Sequence, residues 1–468
     1  MNEYFWNRRK FLGTGVMGLG YAATIEALKS KDKSLYSSSV IRSKFQPRAK
    51  RILFLFMKGG PSQVDTFDFK PRLQEDHGRP LPFAKPKVQF AKTGNLLASP
   101  WDFHRYGECG HYVSDLFPNV AKHVDDLCFI HSMHGTNPAH GAAVLKLHTG
   151  SDNFIRPSMG AWISYGLGSE NENLPSFVTI CPTLAHGGSQ NWGSAFLPNR
   201  HQGCPIGNAS IEPLDAKVGH IENLRDSFSQ QRAQIQILRS LNESTALQGM
   251  QERFWKEKIE NFEMAFRMQT SIPGVQDISS ESESTKKLYG LDQKISENFG
   301  SQCLIARRFL EQGVRFVQVT HSALKAQWDQ HGNLRRDHAE RAAQVDQPIS
   351  GLLTDLKSRG MLEDTLVVWA GEFGRTPTVQ GPKFDGRDHN PHGFTIWMAG
   401  AGVKPGFSFG STDEFGYYAE KDPVHVHDFH ATLLAFLGID HEELTYHFAG
   451  RDFRLTDVHG RVINEIFA

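Results

Sequence analysis

Short apolar segments recur along the chain, and they constrain its fold more than any other feature. Their composition is typical of strands buried on both faces, because a strand covered by helices on both sides has no polar face. Segments with helical character alternate with them. This alternation predicts an α/β fold with a mostly parallel central sheet and right-handed crossovers. The predicted strands are 51–57, 128–133, 177–181, 314–319, 366–370 and 394–399.

Helices are predicted between these strands, and one long segment has a different composition. The predicted helices are 112–127, 142–147, 158–168, 305–312, 341–359 and 429–437. Gln, Glu, Arg and Ser dominate residues 211–300, which contain helical stretches at 221–241 and 250–268. We interpret 211–300 as a helical insertion in a domain formed by residues 45–468. It would cover the site or make an oligomer contact.

The overall composition excludes some classes of function. The chain has 468 residues, 39% of them hydrophobic, and its formal net charge is zero. It can therefore form a large core, and it has no basic excess that would favour nucleic acid as a partner. Five cysteines without a paired motif argue against a disulfide framework and a zinc ribbon. The 22 histidines favour metal or acid–base chemistry.

Residues 1–44 are typical of an export signal followed by a linker. Arg8 and Arg9 precede Lys10-Phe11-Leu12 and a glycine-rich apolar stretch. This order predicts a twin-arginine signal and therefore an interaction with the twin-arginine export machinery. A basic amino-terminal helix is the alternative. We expect a periplasmic or exported protein, anchored in the membrane if the signal is not cleaved.

The clearest candidate site follows the predicted strand 366–370. Glu372 and Arg375 come directly after it, and a loop then supplies His389 and His392. Ligands of open α/β sheets gather at the carboxyl ends of the strands. A carboxylate and two histidines there predict a metal pocket. The alternative is a tight turn in which Arg375 pairs with Glu372 and the histidines are ordinary loop residues.

Other predicted strand ends carry further candidates. Asp65 follows strand 51–57, where it is either a metal ligand or part of a segment capped by Ser62. Thr136 and His140 follow strand 128–133 and precede a helix, an arrangement that forms either a cradle for an anion or nucleophile or a plain connector. Asp329 and His331 lie beyond strand 314–319.

Several motifs, together with the export signal, resemble one family of exported bacterial proteins, the domain-of-unknown-function family 1501. These motifs are GGPSQVDTFDFKP, RPSMGAWISYGLGSEN, GEFGRTP, GRDHNPHGFTIWMAGAGVKPG and PVHVHDFHATLLAFLGI. The family in turn resembles the alkaline phosphatase–sulfatase superfamily, which implies a three-layer sandwich with a mostly parallel central sheet and a helical insertion. Glu372-Phe373 stands where that superfamily has Asp-His in a metal motif. His140 replaces the sulfatase cysteine, and Lys58-Gly59 replaces a pair of aspartates, which leaves Asp65 as the nearest substitute.

Together, the residues and the resemblance predict a metal-dependent hydrolase of phosphate or sulfate esters acting outside the cytoplasm. The substrate would be a small-molecule or glycan ester. His140 or Thr136 would be the nucleophile or an anion contact, and Arg375 would hold a non-bridging oxygen. The alternative is a catalytically degenerate protein that binds a sulfated glycan or a surface partner. The proposed ligands of a divalent Zn, Mn or Ca ion are Asp65, Asp329, His331, Glu372, His389 and His392.

Overall fold

The computed structural model describes most of the chain from residue 44 onwards. The export-signal prediction lies outside the described residues, as do the side chains of 241–244 and 250–254. The residues from Phe45 to Ala468 form one compact unit. No helix among the described residues is both long and apolar enough to cross a membrane. The described ranges are 44–84, 92–219, 221–244, 250–322, 327–380 and 385–468.

The strands are numbered in chain order. They are β1 Arg51–Met57, β2 Thr93–Leu96, β3 Phe103–Tyr106, β4 His111–Ser114, β5 Leu127–His134, β6 Phe177–Ile180, β7 Cys204–Ile206, β8 Phe316–His321, β9 Thr365–Ala370, β10 Gly374–Gln380, β11 Arg387–Asn390, β12 Phe394–Ala399, β13 Phe407–Phe409, β14 Ser411–Thr412, β15 Ala419–Lys421, β16 Val424–His425, β17 Tyr446–Phe448 and β18 Arg451–Phe453.

The α-helices are numbered in the same way. They are α1 Gln63–Thr66, α2 Pro71–Glu75, α3 His140–Thr149, α4 Met159–Leu167, α5 Phe228–Ser244, α6 Met250–Gln276, α7 Glu283–Leu288, α8 Glu297–Glu311, α9 Leu334–Ser358 and α10 Val426–Phe436. The predicted insertion at 211–300 contains α5, α6 and α7, whereas α8 packs against the central strand β8.

A large, mostly parallel sheet organises the described part of the chain. Its strands follow the order β13-β5-β12-β9-β1-β8-β6-β7, and β16 also pairs with β5. Only β12 is antiparallel to both of its neighbours, β5 and β9. The predicted α/β class with a mostly parallel central sheet is thus confirmed.

The central strand β1 is apolar because both of its faces are covered. Leu53, Leu55 and Met57 belong to the main hydrophobic core on one face. Phe54 and Phe56 lie on the other face and contact the ring of His148 in α3. Burial on both faces explains the run RILFLFM, in which no alternation with polar residues occurs after Arg51.

One predicted helix is wrong. Residues 112–127 form the end of a hairpin and a 3₁₀ helix instead: β4 pairs with β3, and a 3₁₀ helix spans Val120–Asp126. Pro118 separates the two parts. A proline inside a helix would remove a backbone hydrogen bond and clash with the preceding turn.

The sheet topology brings three loops to one edge. β1 is parallel to both β8 and β9, so the residues that follow these three strands meet at the same end of the sheet. The hairpin of β10 and β11 lies beside them and places Arg375 opposite His389. The candidate site is therefore built from the ends of strands, as expected for an open α/β sheet.

Candidate functional site

Asp329 is the centre of the candidate site. Its Oδ1 lies 2.7 Å from Arg375 Nη2, 2.8 Å from His331 Nε2 and 3.1 Å from His389 Nε2. Its Oδ2 lies 3.2 Å from His140 Nε2. Burial opposes the charge of this carboxylate, but Arg375 and the hydrogen bond from His140 outweigh burial and hold its pKa well below the usual range. Asp329 is therefore a carboxylate at any physiological pH.

His331 and His389 both present Nε2 to Asp329, and both are held through Nδ1. His389 Nδ1 lies 2.6 Å from the carbonyl oxygen of Pro138, and His331 Nδ1 lies 2.5 Å from the side-chain oxygen assigned to Gln380. The two Nε2 atoms are 3.0 Å apart. Burial is the main reason that the pKa of His389 is lowered, to about 4. His389 is thus neutral at pH 7, with its proton on Nδ1, because a carbonyl oxygen only accepts.

His140 connects Asp329 to Glu372. Its Nδ1 lies 2.7 Å from Glu372 Oε1, while Nε2 faces Asp329. Burial lowers the pKa of His140, but the hydrogen bonds to the two carboxylates outweigh this effect and raise its pKa overall. Glu372 also accepts from the backbone N–H of Gly59, at 3.0 Å from each oxygen. A ring between two carboxylates is most stable as an imidazolium.

Arg375 is part of the floor of the site and does not pair with Glu372. Its side chain is 1% exposed, and it donates to the backbone oxygens of Gly60 at 3.0 Å and Trp328 at 2.9 Å. It also donates to the backbone oxygen of Gly59. These bonds join the ends of β1 and β10 to the segment that carries Asp329. The guanidinium therefore fixes the position of Asp329.

Gly59 and Gly60 permit this close packing. Both have positive φ, +111° and +80°, which L-residues with a side chain rarely adopt. A Cβ on Gly59 would lie 2.5 Å from the backbone nitrogen of Trp328, and one on Gly60 would lie 2.6 Å from the ring of Phe373. Glycine is thus required where β1 meets the loop of Asp329.

Three predicted site residues lie apart from this cluster. Asp65 is 0% exposed and pairs with Arg387, with Oδ2 2.6 Å from Nε and Oδ1 2.9 Å from Nη2. His392 packs against Tyr418, with ring centroids 5.5 Å apart. Thr136 is exposed in the loop between β5 and α3. The structure brings together the other six predicted residues: His140, Asp329, His331, Glu372, Arg375 and His389.

Within the described part of the chain, two sets of residues could each hold a metal ion. They are His140, Asp329 and His389, and His331, Asp388 and His389, and within each set the ligand atoms lie within 4.8 Å of one another. Both sets share His389, and a third combination drawn from them, Asp329, His331 and His389, has its facing atoms within 3.1 Å of one another. A divalent cation bound by nitrogen and carboxylate oxygen is compatible with either set.

The comparison with protein families agrees with the motifs. The family described as "Protein of unknown function (DUF1501)" matches residues 49–467. The chain belongs to the DUF1501 family. This confirms the family that the sequence motifs predicted. No curated protein matches this DUF1501 chain.

Solved structures of ester hydrolases resemble this DUF1501 chain at low identity. The PsFucS1 sulfatase from Pseudoalteromonas sp. is 13% identical, with 88% of this chain and 71% of the sulfatase covered and a TM-score of 0.36. The alkaline phosphatase from the Antarctic bacterium TAB5 is 13% identical, with 77% and 94% covered and a TM-score of 0.32. The phosphonate monoester hydrolase SpPMH from Silicibacter pomeroyi is 11% identical, with 69% and 68% covered and a TM-score of 0.32.

Sequence reasoning about this DUF1501 chain missed three residues of the site. Asp388 lies 4.0 Å from His331 Nδ1 and belongs to one of the two metal-capable sets. Its position beside His389 in the motif GRDHNPH was a usable signal. Lys58 was noted only as a replacement for the superfamily's pair of aspartates, and His186 carried no signal. Lys58 is 0% exposed, and the His186 ring stacks on His140 with centroids 5.0 Å apart.

Proposed function

We propose that this protein is a divalent-metal-dependent hydrolase of phosphate or sulfate esters that acts outside the cytoplasm. Asp329, His331 and His389 would hold the metal. The substrate would be a small-molecule or glycan ester. The twin-arginine motif in residues 1–44 supports the location, and the arrangement around Asp329 supports the chemistry.

One observation carries the proposal: two histidines direct Nε2 at the same carboxylate oxygen while their Nδ1 atoms are held by acceptors. In the neutral form, each Nε2 then bears a lone pair, and two lone pairs facing a carboxylate oxygen repel one another. A cation between them removes this repulsion. Metal-binding histidines commonly have their second nitrogen fixed by such a hydrogen bond.

The spacing of these three atoms also fits one cation. The separations from Asp329 Oδ1 to His331 Nε2 and His389 Nε2 are 2.8 and 3.1 Å, and the two nitrogens are 3.0 Å apart. Metal–ligand bonds of about 2.0–2.2 Å place neighbouring ligand atoms roughly 3.0–3.5 Å apart. Small side-chain adjustments would suffice to bind an ion such as Zn²⁺ or Mn²⁺.

A bound divalent cation would neutralise ester oxygens and lower the pKa of a water molecule. The chain's own residues would position the reacting groups. His140, held between Glu372 and Asp329, is suited to donate a proton to a leaving oxygen or to contact an anion. Arg375 has its donors occupied by backbone oxygens and Asp329, so we assign it a positioning role.

Metal content and ester hydrolysis test this proposal together. We expect the purified wild type to contain stoichiometric metal and to hydrolyse an aryl phosphate or aryl sulfate. His389→Ala should lose the metal and at least about 100-fold in activity, because one ligand is removed. His392→Ala is the matched control, since His392 lies apart from the cluster, and it should keep both properties.

The outcome that contradicts the proposal is a folded wild type that contains no metal, takes up none on addition of Zn²⁺, Mn²⁺ or Ca²⁺, and hydrolyses neither ester. Equal loss of metal in His389→Ala and His392→Ala would also contradict the assignment of the ligands.

The pairing of Arg375 with Asp329 favours a second candidate function. An arginine on the central carboxylate is what a site without a cation would use to balance its charge. In that case the protein would be a degenerate member of its fold that binds a sulfated glycan or a surface partner. A metal-free wild type that retains binding to a sulfated oligosaccharide would support this second function.

A further inference from the structure

Lys58 is a buried cation directly after β1, and the described residues leave its ammonium group without a hydrogen-bond partner. Its side chain is 0% exposed, and its Nζ has no hydrogen-bond partner among the residues that the structure describes. Removing an ammonium group from water without providing a partner strongly destabilises a fold. Lys58 therefore requires a partner that these residues do not supply.

The two nearby carboxylates already have other donors. Glu372 accepts from the Gly59 N–H at both oxygens and contacts His140 through Oε1. Asp329 is bound by Arg375 and contacts the histidines around it. Burial lowers the pKa of Lys58, and the charges of Glu372 and Asp329 oppose this effect without forming a hydrogen bond to Nζ. Neither carboxylate needs Lys58 as its counter-ion.

His186 carries a second polar atom in a similar state. Its Nδ1 is buried and has no hydrogen-bond partner in the described part of the chain. After burial, repulsion from Lys58 and His140 is the main cause of its lowered pKa, which places His186 near both residues. Its ring lies parallel to that of His140. Lys58 Nζ and His186 Nδ1 are thus two buried polar atoms near the site that have no hydrogen-bond partner among the described residues.

Three successive residues with positive φ form the turn that carries His186. His186, Gly187 and Gly188 have positive φ in succession, 56°, 98° and 51°. Leu184, two residues earlier, is 66% exposed. The segment therefore contacts the site through the His186 ring while its tip lies in solvent.

We infer that Lys58 binds the anionic oxygens of the substrate's phosphate or sulfate group, beside the ring of His186. This inference rests on the proposed function and deepens it by assigning the anion contact. An ammonium group and an imidazole nitrogen are donors suited to a tetrahedral oxyanion. The bound anion is the partner that Lys58 lacks among the described residues.

Binding of inorganic phosphate and inorganic sulfate to the full chain, measured by calorimetry, tests the inference. We expect Lys58→Met to weaken binding by about tenfold or more, the loss typical of a hydrogen bond to a charged group. Lys58→Arg should retain part of the affinity. Lys404→Met, which removes a cation next to the ring of Phe407 outside the site, should bind as the wild type does.

The melting temperature separates a binding role from a structural one. Because Met has a similar length and no charge, Lys58→Met should melt at or above the wild-type temperature. The inference is overturned if Lys58→Met binds phosphate and sulfate like the wild type, if the wild type binds neither, or if both Lys58 variants fail to fold.

These outcomes are distinct from those of the proposed hydrolase. Lys58-dependent anion binding without ester hydrolysis would support the inference and contradict the proposed function. Hydrolysis with anion affinity unchanged in Lys58→Met would support the function and overturn the inference.

Discussion

At the scale of single residues, one fully buried ion pair, Asp65 with Arg387, lies next to the candidate site. Asp65 and Arg387 are both 0% exposed and are joined by two short contacts. Ser62 Oγ donates to the same Asp65 carboxylate at 2.5 Å. This network lies under the hairpin of β10 and β11, so it supports the element that carries His389.

Replacing Asp65 with Asn should destabilise the protein, because Arg387 would remain buried without its counter-charge. Removing one partner of a buried ion pair typically lowers the free energy of unfolding by about 3–5 kcal/mol. Urea unfolding measures this loss. Lys357→Ala, which removes an exposed pair with Asp126 at 2.7 Å, is the control and should leave stability nearly unchanged. A similar loss of unfolding free energy in the two variants would contradict the expected contribution of the Asp65–Arg387 pair to stability.

Residue identity alone predicted six of the site residues but could not place the others. Asp65 follows β1 just as a metal ligand would, yet it pairs with Arg387, 322 residues later in the chain. His392 is three residues beyond His389, but a strand end and turn direct it towards Tyr418. Such pairings depend on the three-dimensional register of β10 and β11, which the order of residues does not reveal.

At the scale of elements, the site depends on the close approach of β1 to the segment 327–331. Trp328 donates its backbone N–H to the carbonyl oxygen of Lys58 at 2.9 Å. The positive φ of Gly59 makes this approach possible. The strand end and the loop of Asp329 thus behave as one structural unit.

Gly59→Ala should therefore lower both stability and metal content. The left-handed backbone at this position costs about 1–3 kcal/mol for a residue with a side chain, and the new Cβ would displace Trp328. Urea unfolding and elemental analysis measure the two effects. Gly274→Ala, in α6, is the control because a Cβ there meets nothing within 4 Å. A Gly59→Ala protein as stable as the control and with full metal content would contradict this account.

Strands buried on both faces were predictable from the sequence, whereas elements whose conformation depends on pairing with another strand were not. The predicted strands at 51–57, 366–370 and 394–399 agree closely with β1, β9 and β12. In 112–127, the apolar spacing suggested a helix, and the apolar side chains are indeed buried: Val113, Phe117, Val120 and Val124 are all 0% exposed. Their conformation differs because β4 pairs with β3, a contact that local spacing does not encode.

At the scale of the whole molecule, many histidines are buried in a neutral form. Burial is the largest cause that lowers the pKa of His201, His321 and His430, each to about 3. An unfolded chain would protonate these histidines near pH 6.5. Between the folded pKa of about 3 and the unfolded pKa of about 6.5, the folded protein binds fewer protons than the unfolded chain, so acid favours unfolding.

The free energy of unfolding should therefore fall as the pH drops below about 6.5, by at most about 1.4 kcal/mol per pH unit for each such histidine. Urea titrations between about pH 7 and pH 5 measure the slope. His201→Gln should reduce the slope of the unfolding free energy against pH by the contribution of one histidine. An unchanged slope in this variant, or stability that is constant over the range, would contradict the neutral state of these residues.

The whole-molecule predictions of export and of oligomer formation through the insertion remain predictions. The first rests on residues 1–44, almost all of which lie outside the described part of the chain. The second rests on the composition of 211–300, where exposed Trp255 and Phe262 belong to α6. Both depend on partners that a single chain does not contain.

The central claim is that Asp329, His331 and His389 hold one divalent cation. Anomalous X-ray diffraction from crystals of the protein, recorded at the absorption edge of the metal found by elemental analysis, tests it most directly. The account predicts a peak about 2.0–2.3 Å from Asp329 Oδ1 and from the Nε2 atoms of His331 and His389. A metal-soaked crystal with no peak there, and with Arg375 still bound to Asp329, would contradict it.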